Sequence, residues 1–346
     1  MNLLVRATNW VGDAVMSLPA LAAVRARFPG ARISVLARPW VAGLYRHEPF
    51  ADEIVTYEAG KGWLERRRVA RQLSESGYDC ALLLQNAFDA ALVAWMARIP
   101  RRIGYARDGR GWLLTDPVRR PQRHEIPPHE SYYYLELLRR AEWVDSLPEA
   151  PLVRLEGRFR AREAGDRLWA EEGWSGAVVG VSPGAAYGNA KRWLPERFAE
   201  AAARVARQAG ARVALFGSGA EREVAEQIRG MLEDLSVEAR NFAGQTSLEE
   251  FIDRAAACSV FLTNDSGAMH IASALDVPTV TVFGATNHVT TGPTGPWARV
   301  VRHEVDCSPC MLRECPIDHR CMKAVSAAEV ADVALELLQL RGNGQP

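Results

Sequence analysis

Short apolar runs alternate with amphipathic stretches of helical length from the first residues onward. Leu3-Leu4-Val5 is followed by Ala14 to Phe28, then by Ile33-Ser34-Val35-Leu36 and, further on, by Cys80-Ala81-Leu82-Leu83-Leu84. Such runs predict buried strands and the stretches between them predict helices, which is the βα rhythm of a parallel sheet. The rhythm fades between about Arg98 and Glu156, where Pro, Arg and aromatic residues gather. It resumes with Ala177-Val178-Val179-Gly180-Val181 and continues through Val213-Ala214-Leu215-Phe216, Val260-Phe261-Leu262-Thr263 and Pro278-Thr279-Val280-Thr281-Val282-Phe283. The last segment, Ser326 to Leu340, opens with a Ser-x-x-Glu pair, Ser326 and Glu329, and predicts a closing helix. At 346 residues the chain is too long for one ordinary domain and comfortable for two. The pattern predicts an α/β protein of two Rossmann-like domains facing a central cleft: residues 1–160, residues 161–325, and a C-terminal helix and tail over 326–346.

Ligands of open parallel sheets bind beyond the carboxyl ends of the strands, so the residues that follow each strand are the candidates for chemistry. After the first strand come Thr8-Asn9-Trp10-Val11-Gly12-Asp13. Gly12 permits a tight turn, and Asp13 in the first turn of the next helix is kept ionised by the helix dipole. Asp13 reads either as a helix-start acid or as a general base. The second half opens with Ser182-Pro183-Gly184-Ala185-Ala186-Tyr187-Gly188-Asn189-Ala190-Lys191-Arg192-Trp193, a small-residue loop with two cations that suits a diphosphate or is simply a solvated surface loop. Gly217-Ser218-Gly219-Ala220-Glu221 lacks the third glycine of a dinucleotide fingerprint, since Arg222 holds that place. It suggests close backbone approach to a ligand, with Glu221 able to accept ribose hydroxyls, or only a turn before a helix. In Thr263-Asn264-Asp265-Ser266-Gly267-Ala268-Met269-His270, the backbone N–H groups of Ser266, Gly267 and Ala268 form a ready anion site at a helix start. Asp265 is placed to bind sugar hydroxyls, and His270, taken alone, reads more as a packed side chain than as a catalyst.

Composition narrows the partners. Lys and Arg number 42 against 42 acidic residues, which argues against a broad grip on nucleic acid and leaves room for a local basic patch. No stretch approaches the roughly 18 apolar residues of a membrane span, and no signal-peptide core forms before Asn9, so a soluble, cytoplasmic protein is expected. Cys80 and Cys258 stand alone in apolar runs and read as core. Cys307, Cys310, Cys315 and Cys321, with His319 among them, have the ligand types of a structural zinc or iron–sulfur site, at spacings shorter than a zinc ribbon's. Packed thiols are the alternative, and stable disulfides are not expected in a reducing compartment.

The opening from Asn9 to Pro19, the Pro183-Gly184-Ala185 loop with Lys191-Arg192-Trp193, and Asn264 to His270 together resemble the ADP-heptose:lipopolysaccharide heptosyltransferases, glycosyltransferase family 9. The similarity spans nearly the whole chain, and the opening is most like the heptosyltransferase II branch. The resemblance implies a glycosyltransferase B fold and an inverting displacement with ADP-heptose as donor and heptosyl-Kdo2-lipid A as acceptor, in lipopolysaccharide inner-core synthesis. It implies Asp13 as base on the acceptor hydroxyl, Lys191 on the diphosphate, Glu221 on the ribose, Thr246 near adenine and Asp265 on the heptose, with Ser266, Gly267, Ala268 and His270 also among the ADP-heptose-binding residues. Asn189 and Leu194 stand where prolines would be expected. No cofactor is needed for such a step, because Lys191 and the Ser266–Ala268 donors can hold the departing charge. An anionic acceptor calls for cations in the first half, with Arg66, Arg67, Arg101, Arg102 and Arg120 the candidates and Arg68, Arg71, Arg119 and Arg123 near them; surface solvation is the alternative for each. These cations also suit transient contact with the anionic cytoplasmic face of the inner membrane. Transfer at another core position, a sugar-nucleotide epimerase and a non-catalytic nucleotide-sugar sensor remain as competing functions.

Overall fold

The computed structural model describes residues 1–58 and 62–343, so the end of the expected C-terminal tail, residues 344–346, lies outside the described residues. The chain folds as two compact units, Met1–Glu156 and Gly157–Pro346. The first carries β1 (Asn2–Arg6), β2 (Arg32–Ala37), β3 (Glu53–Thr56), β4 (Cys80–Leu83), β5 (Arg101–Tyr105) and β6 (Asp116–Val118) in the order β3-β2-β1-β4-β5-β6. The second carries β7 (Val178–Ser182), β8 (Arg212–Leu215), β9 (Ala239–Asn241), β10 (Val260–Asn264), β11 (Thr279–Val282) and β12 (Ala298–Val301) in the order β12-β11-β10-β7-β8-β9. Every pairing is parallel. Each sheet therefore has the doubly wound strand order, and its direction of winding switches beside its first strand, between β1 and β4 and between β7 and β10.

The central strands are apolar on both faces because helices cover both faces, and β1, β4, β7 and β10 are buried almost throughout. In the second unit Val179, Val181, Val213, Leu215, Leu262 and Val280 meet Phe198, Ala202 and Val205 of the helix Pro195–Ala209 and Val330, Ala334 and Leu337 of the last helix. That last helix, Ala327–Gly342, begins at Ser326, which exchanges bonds with Glu329 in a capping box, and it belongs to the core of the second unit. Residue 160 lies inside the first helix of this unit, Arg158–Glu171. No helix among the described residues is long and apolar enough to cross a membrane.

Two local expectations change. The helix expected over Ala14 to Phe28 is two helices, Val11–Met16 and Leu18–Arg27, because Pro19 opens the second and has no N–H to continue the first. The fading rhythm after Arg98 conceals two strands, β5 and β6, whose exposed Arg101 and half-buried Asp116 interrupt the apolar pattern.

Candidate active site

Asp13 lies beyond the carboxyl end of β1, at the switch point of the first sheet. It is the third residue of its helix, after the cap residue Trp10, and Gly12 lies inside the helix rather than in a turn before it. The loop between strand and helix is held from two sides. Arg6, buried at the strand end, donates from Nη2 to Asn9 Oδ1 at 2.8 Å, and Trp40 Nε1 donates to the Asn9 carbonyl at 2.9 Å. Arg6 also bonds the Tyr57 hydroxyl and lies 4.8 Å from the centre of that ring, while Arg38 stands 4.6 Å from it. Burial pulls the Arg6 guanidinium below its usual range. Sequence reasoning missed this support; the one signal was a charged residue ending an otherwise apolar strand.

The first-half arginines do not form one group. Arg66 bonds Asp89, just beyond β4, and Arg67 lies 5.3 Å over the Trp63 ring. Arg120 follows β6 and is exposed, so it belongs to the same carboxyl edge as Asp13. Arg101 and Arg102 open β5, with Arg101 level with Cys80 and so with Leu3, about 10 Å of strand short of that edge. Arg101 pairs with Asp116 at 2.9 Å, and Arg102 donates to the carbonyls of Leu113 and Ile99. The strand that carries these two therefore sets them apart from Arg120 in the first unit.

At the switch point of the second sheet the geometry is tighter. Lys191, in the short helical turn Asn189–Lys191, places Nζ 2.6 Å from Asp265 Oδ2, and Thr286 also donates to that oxygen. Asp265 is 4% exposed and Lys191 13%, so the pair is largely out of water. Asn264, fully buried, accepts from Trp193 N at 2.9 Å and donates to the Pro183 carbonyl at 2.7 Å, binding both ends of the 183–193 loop to β10. Ser266 stands at the N-terminal cap position of the helix Gly267–Ala274, which begins two residues after Asp265, and His270 is buried within it. Thr286 escaped the sequence reading, and Asn264 was read only as part of its motif, because their partners lie far off along the chain.

Glu221 sits against the same loop. Its Oε2 accepts from Ser218 N at 2.7 Å and Ser218 Oγ at 2.9 Å, and Gly184 is so close that a Cβ there would stand 1.9 Å from Glu221 Oε1. Thr246, half-buried, lies in the loop after β9, and Gly244 of that loop donates to the Gly217 carbonyl at 2.9 Å. The 184, 218–221 and 244–246 segments thus adjoin.

The four clustered cysteines are free, and Cys321 is buried, which raises its thiol, with Cys307, Cys310 and Cys315 near enough to add to the effect. Among the described residues no three His, Cys, Asp or Glu side chains are disposed to hold a metal ion. What the loop does is brace Lys191. Tyr187 donates to the Met311 carbonyl at 2.9 Å, Ala190 N to the Arg313 carbonyl at 3.0 Å, and Cys315 N to Asn189 Oδ1 at 3.1 Å. Gly188, at φ +154°, passes so near that a Cβ would stand 2.1 Å from the Arg313 carbonyl oxygen. Asn189, where a proline was expected, is the residue that ties the two loops.

The sequence profile of glycosyltransferase family 9 (heptosyltransferase) matches residues 66–320. The chain belongs to this family. Lipopolysaccharide heptosyltransferase 2 of Salmonella typhimurium is 34% identical over 309 residues, 87% of this chain and 88% of that protein. The structure of the E. coli ADP-heptose LPS heptosyltransferase II matches with a TM-score of 0.82 at 32% identity, over 99% of this chain and 100% of that one. E. coli heptosyltransferase WaaC with ADP-2-deoxy-2-fluoro heptose shares the fold at a TM-score of 0.73 and 18% identity, over 97% and 99%. This glycosyltransferase has the two-sheet glycosyltransferase B architecture of these relatives. On the expectation that Glu221 takes the donor's ribose, Gly184→Ala should displace the carboxylate and raise the KM for the sugar nucleotide roughly tenfold, with kcat within about twofold. Steady-state kinetics at varied donor concentration checks this, and an unchanged KM would detach Glu221 from the donor.

Proposed function

We propose that the chain moves L-glycero-D-manno-heptose from ADP-heptose to heptosyl-Kdo2-lipid A, the second heptose addition of the lipopolysaccharide inner core. The observation that carries the reading is the buried Lys191–Asp265 pair set against the start of the helix Gly267–Ala274, in a chain similar throughout to lipopolysaccharide heptosyltransferases 2. Asp13 takes the proton of the acceptor hydroxyl as its oxygen bonds to the anomeric carbon. The bond from that carbon to the diphosphate oxygen breaks, its electron pair leaves with ADP, and the configuration inverts.

Charge grows on the departing diphosphate, where Lys191 and the Ser266–Ala268 backbone donors supply fixed positive ends worth about 3–4 kcal/mol for a well-aimed donor. Asp265 orients Lys191 and meets the heptose hydroxyls; Glu221 takes the ribose and Thr246 the adenine. Arg66, Arg67 and Arg120 face the anionic acceptor, and the step requires no metal. The enzyme works at the cytoplasmic face of the inner membrane, where its lipid-linked acceptor resides.

Labelled ADP-heptose offered with acceptors bearing none, one or two heptoses tests the assignment. Extension of the one-heptose acceptor is the expected result. Preference for the heptose-free acceptor would move the enzyme to the first addition, and label converted without any acceptor would replace transfer with epimerisation.

A further inference from the structure

An exposed aromatic face occupies the first unit, and neither the donor nor the sugar chemistry uses it. Phe88, Trp95 and Trp112 form a chain of rings, with centroids 6.3 Å apart between Phe88 and Trp112 and 6.2 Å between Trp95 and Trp112. All three are open to solvent, Trp112 to 67%. Nearby, Trp63 and Leu64 open the helix Trp63–Glu75, and Leu64 is 79% exposed. The two parts join where Arg66 of this helix bonds Asp89, the neighbour of Phe88. Soluble surfaces seldom leave so many large apolar side chains together unless something covers them.

The identity of the partner follows from what surrounds the rings. Arg67 lies over Trp63 and Arg68 is exposed beside it, so the face combines indole rings with guanidinium groups on a chain with no net charge. Tryptophan favours the boundary between headgroups and acyl chains, and each arginine near an anionic leaflet contributes about 1 kcal/mol. Position agrees with composition. Phe88 begins its helix just beyond the carboxyl end of β4, next to β1 in the sheet, so the face starts at the edge that carries Asp13 and runs back along the helix from it toward β5.

We infer that Trp63, Leu64, Phe88, Trp95 and Trp112, with Arg67 and Arg68, form the surface by which this protein docks on an anionic lipid bilayer. The inference rests on the proposed lipid-linked acceptor, since only such a substrate requires the Asp13 edge to meet a membrane. An enzyme docked here takes the sugar end of the lipid at that edge without drawing acyl chains into a pocket.

The test uses the full chain, the double variant Trp95→Ser/Trp112→Ser, and vesicles of phosphatidylglycerol mixed with phosphatidylethanolamine or of phosphatidylcholine alone. Wild type is expected to float with the anionic vesicles and not with phosphatidylcholine, its tryptophan emission quenched by brominated lipid. The variant is expected to lose about tenfold or more in vesicle partition while transferring heptose to a deacylated, water-soluble acceptor as wild type does. Both substituted residues are exposed, and a melting curve confirms the fold. Equal vesicle binding by the two proteins, or none by wild type, overturns the inference whatever the transfer assay gives. So does a wild-type dimer that the variant dissolves without any vesicle binding, which would make a second copy the partner. Loss of transfer to the soluble acceptor by wild type would strike the functional reading instead.

Discussion

Asp13→Asn is expected to lower kcat for heptose transfer roughly 10²–10⁴-fold, while ADP still binds and the melting temperature moves little. The amide fills the same volume but cannot take a proton at neutral pH. The position matters because Asp13 also lies in a first helical turn, where an acid is favourable for the helix alone, by about 0.3–1 kcal/mol. The two roles separate cleanly. A residue that only serves the helix would give a lower melting temperature and near-normal turnover, whereas a base gives the reverse. Single-turnover transfer, ADP titration and thermal melting on the same preparation decide between them, and turnover within threefold of wild type would remove Asp13 from the chemistry. The Arg6 and Trp40 bonds to Asn9 keep the preceding loop in place in either case, so collapse of the site does not confuse the result.

Lys191→Met should be the other severe change, and it should act on stability as well as on rate. Loss of a donor aimed at the leaving diphosphate costs about 3–4 kcal/mol of transition-state stabilisation, some 10²–10³ in kcat. Removing the cation also leaves the buried Asp265 carboxylate without its cation, beside Thr286. Breaking one side of a buried pair costs roughly 3–5 kcal/mol, and the low end applies because Lys191 keeps some contact with water. The double variant Lys191→Met/Asp265→Asn removes the stranded charge. It is expected to regain most of the lost stability while remaining as inactive as the single variant. Denaturant melts and transfer rates for all four proteins of the cycle check this. If the double variant were no more stable than Lys191→Met, the pair would be a surface contact of little weight.

Much of this site was legible before the fold was known, for a physical reason. β1, β7 and β10 are covered on both faces, so each is an unbroken apolar run, and whatever follows it can be found by reading on. Asp13, Lys191 and Asp265 are all such residues. The edge strands β3, β9 and β12 are only half-buried and carry no such run, which is why they went unread. β5 was hidden by Arg101 and Arg102, and their place at its start was not readable, because charge alone says nothing about which end of a strand bears it. The bonds of Asn264 and Thr286 and the brace from Met311 to Cys315 were invisible for a different cause. Their partners lie between 21 and 126 residues away, and pairing at that range leaves no local pattern.

The brace has a consequence for how sequences of this kind can diverge. On its outer side it is made of backbone: the carbonyls of Met311 and Arg313 and the amide of Cys315 carry the bonds, whatever side chains those positions bear. Substitutions there spare these bonds and are limited only by the positive φ of Met311, the stacking of Arg313 on Tyr187 and the bond from His319 N to Cys315 Sγ. Insertions and deletions do not spare them, since a shift of one residue moves every carbonyl off its partner at once. Across the gap the rule is reversed, with Tyr187, Gly188 and Asn189 restricted in identity. Drift in this part of the chain is therefore filtered by spacing on one side and by chemistry on the other.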